Sequence, residues 1–113
     1  MLELCTLASG SSGNSLLVTD GRTHVLVDAG ISCRRICTGL KALGVEPTEL
    51  AGVLITHEHS DHVKGLSTFL KKNTLPVYGA AATLDFLDSN GIVPASCELH
   101  ELEGREEDVG AFG

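Results

Sequence analysis

Tryptophan is absent from this sequence, and tyrosine and phenylalanine together supply only four residues. An aromatic platform for stacking nucleotide bases cannot be built from so few rings. Long apolar runs are missing as well: no stretch approaches the ~18 residues that a membrane-spanning helix needs. The start, Met1-Leu2-Glu3-Leu4-Cys5, has no basic segment and an early acid, which argues against a secretory signal. The four cysteines, Cys5, Cys33, Cys37 and Cys97, lack the spacing of a disulfide framework. Free thiols in a reducing cytoplasm are therefore expected. No repeat, low-complexity run or linker-like segment interrupts the chain. Basic residues are scarce in one region: residues 85–113 hold eight acids against Arg105 alone, whereas residues 1–84 balance seven acids with seven bases. The whole net charge of −7 sits in that last segment. This disfavours a phosphate-binding surface there and reads as a solvated face.

What is present is a chain of 113 residues, 42% of them apolar, enough for one domain around a single core. Residues 2–7 read as a short strand that enters the loop Ala8-Ser9-Gly10-Ser11-Ser12-Gly13-Asn14. Residues 15–19 form a second strand, Asp20-Gly21 signals a two-residue hairpin turn, and residues 24–28 are its partner. Ser32 is placed to cap a helix running to about Leu43, with Gly44 just past its end. Ile36, Leu40 and Leu43 share one face of that helix, and Cys33 and Cys37, four apart, also share a face. A helical turn after Pro47 leads to the β-branched run 53–56, which delivers the chain into a histidine-rich segment. Beyond it the pattern predicts a helix over 63–72, a strand over 76–79 and a helix over 80–89 ended by Asn90-Gly91. A strand over 97–102 follows, in which His100 is an ordinary strand residue, and then a turn at Glu103-Gly104-Arg105. Strands alternate with helices after residue 24, and the opening hairpin adds antiparallel pairing. The expected class is α/β, with a mixed sheet and about three helices.

The chemistry concentrates in His57-Glu58-His59-Ser60-Asp61-His62. Imidazole nitrogen and carboxylate oxygen are the donors that zinc and its first-row neighbours accept. In an extended segment residues i and i+2 point the same way, so His57 and His59 can share one metal. Asp61 and His62 follow a turn later and can hold a second beside it. Two metals ~3.5–4 Å apart can hold a hydroxide and stabilise the attacking and leaving oxygens of a displacement. Glu58 and Ser60 alternate with the ligands and are expected to face away. Asp61 has two candidate roles, metal ligand and proton acceptor for the attacking water, and the two can coexist. Plainer readings compete: three exposed histidines in a surface turn, or a single structural metal.

The six-residue string resembles the H-x-H-x-D-H signature of the metallo-β-lactamase superfamily. Val27-Asp28-Ala29-Gly30 resembles that superfamily's first motif, a strand ending in an aspartate. The loop 8–14 and the segment 55–65 are similar to the branch of bacterial nuclease-like proteins of the YycJ/WalJ type. The resemblance runs over essentially the whole chain and implies an αββα layered fold, of which these residues supply the amino-terminal half. It implies His57 and His59 as ligands of one divalent ion and Asp61 and His62 as ligands of a second, zinc or manganese alike. Asp28 would hold ligands in orientation from behind. Ser9, Ser11 and Asn14, in the glycine-rich loop, would lie near the site, where backbone N–H groups can meet a phosphate; such a loop is equally an ordinary turn. The implied activity is phosphodiester hydrolysis, most specifically a DNA exonuclease, with nucleic acid as substrate and no membrane partner. Hydrolysis of another ester, a thioester or a lactam on the same scaffold is the alternative. Arg34, Arg35 and Lys41, or Lys64, Lys71 and Lys72, can touch a nucleic-acid backbone or simply form solvated helix faces.

The pattern is incomplete. Superfamily domains are considerably longer, and their third histidine for the first metal, bridging aspartate and late histidine have no match here. The end, Val109-Gly110-Ala111-Phe112-Gly113, looks like a cut through a strand. Residues 1–113 are thus expected to be the amino-terminal portion of one longer domain, inactive on their own. Weak or partial metal occupancy follows, because each ion keeps two protein ligands. Self-association through exposed strand edges and an uncovered apolar face also follows.

Overall fold

Alternating apolar residues lay down the first three strands of the computed structural model: β1 (Glu3–Ala8), β2 (Ser15–Thr19) and β3 (His24–Val27). The structure describes residues 2–10, 13–57 and 59–102, with Ser60 and Asp61 described by backbone alone. The three strands pair antiparallel, with Leu17 opposite Leu26. The turn between β2 and β3 differs from the two-residue hairpin expected at Asp20-Gly21. It takes in residues 20–23, because the Asp20 carboxylate accepts the N–H groups of Arg22 (2.9 Å) and Thr23 (2.7 Å).

After β3 the chain switches to crossover connections. Helix α1 (Cys33–Ala42) leads through a 3-10 turn, Pro47–Glu49, to β4 (Leu50–Leu54). Helices α2 (Ser60–Val63) and α3 (Leu66–Lys72) lead to β5 (Val77–Gly79), and α4 (Ala81–Ser89) leads to β6 (Leu99–Glu101). The sheet order is β1-β2-β3-β4-β5-β6, and strands β3 to β6 run parallel. The expected mixed α/β sheet is present, with three helices of two turns or so and the single turn of α2.

Local chemistry sets the helix boundaries. The Ser32 hydroxyl accepts from Arg35 N–H at 3.2 Å, a cap that stabilises a helix by about 1 kcal/mol. Gly44, just past the end of α1, has φ +75°, as a helix-terminating glycine should. Leu43 does not join the buried face as expected: it sits at the cap and is 43% exposed, and Val45, 7% exposed, takes the inward place. The continuous helix expected over 63–72 is broken between α2 and α3. At Gly65 a Cβ would collide with the Ile31 carbonyl oxygen, and Gly65 N–H donates to Ala29 O at 2.8 Å. The strand expected over 53–56 begins three residues earlier. Glu46 and Glu49 close the 3-10 turn with a capping box, so pairing starts at once at Leu50. The last strand is shorter than expected, Leu99–Glu101 instead of 97–102. The turn at 103–105 and the chain end lie outside the described residues.

One face of the sheet makes the core. Leu17, Leu26, Val53 and Val77 follow one another across the strands. They are buried with Ile36 and Leu40 of α1, Leu66, Phe69 and Leu70 of α3, and Leu84 and Leu87 of α4 in a single cluster. The opposite row, Leu16, Val27, Leu54 and Tyr78, is only half-buried. The described residues thus form one sheet under one layer of helices, and the ends of β3 and β4 come side by side at one rim.

Candidate functional site

The site grows from that rim. Asp28 N–H donates to Leu54 O at 2.7 Å, carrying the β3–β4 ladder one step past the last strand residue. The backbone then turns sharply: Asp28 has φ +63°, the one described non-glycine residue with positive φ. Aspartate tolerates this left-handed conformation better than most residues. Ala29 N–H donates to His62 O (2.7 Å), and Gly30 N–H donates to Asn14 O (2.8 Å). Three segments far apart in sequence, residues 13–15, 28–31 and 62–65, are therefore stitched together by backbone groups.

The Asp28 side chain, in a residue 6% exposed, is the centre of this arrangement. Its Oδ1 accepts Thr56 N–H at 2.7 Å, and its Oδ2 accepts the Thr56 hydroxyl at 2.6 Å. Oδ2 also lies 2.8 Å from His62 Nδ1. A carboxylate only accepts, so His62 Nδ1 carries the proton and Nε2 carries the lone pair that a metal requires. From beneath, the buried Ser15 hydroxyl donates to Asp28 O at 2.9 Å. The Asp28 carboxylate thus makes three contacts, two to Thr56 and one to His62.

His57 and His59 stand on the exposed loop after β4. The rings of His57 and His62 are 4.9 Å apart between centroids, and those of His57 and His59 are 6.3 Å apart. His62 opens from α2, whose first turn is closed by His62 N–H donating to His59 O at 2.9 Å. The structure brings the three imidazoles to one end of the parallel strands, where ligands of open α/β sheets bind. Among the described residues no three His, Cys, Asp or Glu side chains gather tightly enough to hold one ion. Glu58 and the Asp61 side chain, on which the expected outward direction and the expected ligand and proton-acceptor roles fall, lie outside the described residues. The donor types nonetheless suit a divalent metal: three imidazoles near one another, one of them oriented by an anchoring carboxylate.

Of the glycine-rich loop, Ser9 and Asn14 line an open cleft of about 210 Å³ together with Thr6, Ser15, Asp28 and His62. The described part of the loop therefore borders the same cleft as Asp28 and His62. Asn14 is occupied in holding the loop's shape: its amide oxygen accepts Gly10 N–H at 3.1 Å, and its amide donates to Gly10 O at 3.0 Å. Gly13, at φ +143°, passes so close to the Gly30 carbonyl that a side chain has no room. Ser11 lies outside the described residues.

Other sequence candidates are held elsewhere. His100 stays in β6, with its Nε2 3.0 Å from Glu98 Oε1 and its ring stacked on Tyr78 at 5.0 Å. His24 stays in β3. All four cysteines are free. Burial first, and then the neighbouring Cys33 thiol, push the Cys37 thiol up, while Lys72 pulls it partly back. Arg34, Arg35, Lys41, Lys64, Lys71 and Lys72 are all exposed. Sequence reasoning missed Thr56, which it treated as the last residue of a strand. The signal was a hydroxyl residue directly before the first histidine, where the backbone leaves the sheet.

Relatives bear on this geometry. The family model of the metallo-beta-lactamase superfamily matches residues 8–96. The exodeoxyribonuclease YycJ of Bacillus anthracis is 40% identical over 87 residues, which make up 77% of this chain and 33% of that protein. The exodeoxyribonuclease WalJ of Streptococcus pneumoniae is 38% identical over 84 residues, 74% of this chain and 31% of its own length. The chain thus spans about a third of the length of these curated relatives. Among solved structures, a metallo-β-lactamase of Cronobacter sakazakii superposes with a TM-score of 0.75 at 19% identity, covering 93% of this chain and 45% of that one. An aspartate-ended strand bonded to the last histidine of an H-x-H-x-D-H loop, on a sheet matched in structure and in family model, places this chain in the metallo-beta-lactamase superfamily.

Proposed function

We propose that this chain carries the first metal-binding portion of a hydrolase that cleaves phosphodiester bonds, specifically an exonuclease acting on DNA. The observation that carries the reading is the grip of Asp28 on Thr56 and His62, which holds one histidine in a metal-ready tautomer beside His57. The phosphodiester assignment is supported by the exodeoxyribonucleases among the relatives. When bound, two divalent ions, zinc or manganese, would supply a nucleophilic hydroxide at neutral pH and offset the charge developing on the phosphate. His57 and His59 would hold one ion, and His62 with Asp61 the other. Asp61 would also be placed to accept a proton from the attacking water. Asp28 keeps the His62 ring from rotating, and the loop with Ser9 and Asn14 walls the cleft where a substrate phosphate would approach.

A second reading concerns these 113 residues taken alone. The chain matches about a third of its relatives' length and offers each ion two side chains. On this reading it is the amino-terminal portion of a longer domain, binds metal weakly and self-associates through the half-buried row Leu16, Val27, Leu54 and Tyr78. A clean monomer in sedimentation at high concentration would count against that association. Free thiols suit a reducing compartment, and we place the chain in the cytoplasm with nucleic acid as its partner. Among the described residues no helix is long and apolar enough to cross a membrane.

Metal content after dialysis against zinc or manganese tests the site, and hydrolysis of bis-p-nitrophenyl phosphate against a chromogenic β-lactam tests the substrate class. The reading expects bound metal that is lost in the His57→Ala, His59→Ala double variant. It also expects that any turnover falls on the phosphodiester. Metal content unchanged in that variant, or turnover of the lactam alone, would overturn it.

A further inference from the structure

The Thr56 hydroxyl makes a second contact, to His57, that the metal-site reading does not use. Its hydroxyl oxygen is 2.6 Å from Asp28 Oδ2 and 3.1 Å from His57 Nδ1. A hydroxyl has one proton to give, and a carboxylate has none. A separation of 2.6 Å is the length of an O–H···O⁻ bond, the stronger of the two available. The Thr56 proton is therefore committed to Asp28. Toward His57 the same oxygen can only accept, so the proton in that contact belongs to His57 Nδ1. The contact from Thr56 Oγ1 to His62 Nδ1 is longer, at 3.4 Å, and His62 Nδ1 gives its proton to Asp28 directly at 2.8 Å.

We infer that Thr56 is a positioning residue: it relays the Asp28 carboxylate to His57 and fixes that ring as the Nδ1–H tautomer, leaving Nε2 as its lone-pair nitrogen. One carboxylate then sets the tautomer of two histidines, His62 by direct contact and His57 through a hydroxyl. The significance for metal rests on the hydrolase reading above; the tautomer itself does not. The backbone N–H of Thr56 donates to Asp28 Oδ1 at 2.7 Å, so replacing the side chain removes the relay and leaves the carboxylate anchored to the loop. The relay also explains why a hydroxyl residue suits this position: an apolar residue of the same shape would leave the His57 ring without a fixed partner on its Nδ1 side.

The test is long-range 1H–15N correlation of histidine-labelled protein without metal, at about pH 8.5, above the range where free imidazole titrates. Wild type and Thr56→Ser should show His57 as Nδ1–H. Thr56→Val should move His57 toward Nε2–H or a tautomer mixture, while His62, held by Asp28, stays Nδ1–H as an internal control. His57 found as Nε2–H in wild type, or unchanged in Thr56→Val, overturns the inference. Zinc affinity is the second readout: Thr56→Val should lower it about tenfold, and Thr56→Ser should restore it. If no form binds zinc and the tautomers still follow the pattern, the relay stands and the metal reading falls.

Discussion

Two aspartates flank β3, and both bind through their carboxylates, yet they do different work. Asp20 is half-buried and accepts the N–H groups of residues two and three positions ahead. Asp28 is buried and accepts groups 28 and 34 positions ahead. The first closes a turn that its own sequence already favours. The second joins segments that would otherwise have no reason to meet, and it does so from a residue only 6% exposed, where a lost hydrogen bond costs more than at an open turn. The lesson is that burial and sequence separation, not the number of bonds, decide whether a carboxylate shapes a turn or a site.

The comparison can be broken most forcefully at Asp28. Asp28→Ala strands Thr56 and His62 and puts a less tolerant residue at φ +63°. It should cost about 3 kcal/mol or more in urea unfolding, and a loss no larger than that of Asp20→Ala would refute the contrast. Next comes Gly65→Ala, which tests whether the segment beneath His62 is as closely seated as the collision with the Ile31 carbonyl implies. The expected loss is about 2 kcal/mol, with the His62 ring resonances displaced; full stability would mean that the two segments are not in contact.

The smallest effect belongs to Asp20. Its carboxyl is held below the usual carboxylate range by the N–H of Thr23 first and that of Arg22 second. A group whose folded pKa is lowered contributes stability above its unfolded value and loses it as pH falls through the folded one. A shallow loss of stability below about pH 4 is therefore expected, one that Asp20→Asn removes without touching the His57 and His62 resonances. An acid transition unaltered by that variant would show that the turn bonds add nothing.

The same division explains what could be read from the chain. The strands β1 to β3, the Ser32 cap and the Gly44 terminator are set by neighbours, and local patterns announce them. The broken helix at Gly65 depends on a carbonyl 34 residues earlier, which no periodicity encodes. The end of β4 was misplaced because Thr56 gives its N–H to Asp28 instead of extending the strand. The histidine string suggests metal chemistry by its donor types and spacing. The partners of its members, Asp28 for His62 and Thr56 for His57, became visible only when β3 and β4 lay side by side. The resemblance pointed to Asp28; for the hydroxyl between it and His57 the sequence offered only its place directly before the first histidine.

Zinc affinity of Asp28→Asn against wild type, by competition with a chromogenic chelator and with circular dichroism confirming a folded variant, addresses the central claim most directly. The account predicts a drop of about ten- to hundredfold, because the carboxylate that orients His62 and, through Thr56, His57 is lost. Equal affinity in the two folded proteins would contradict it.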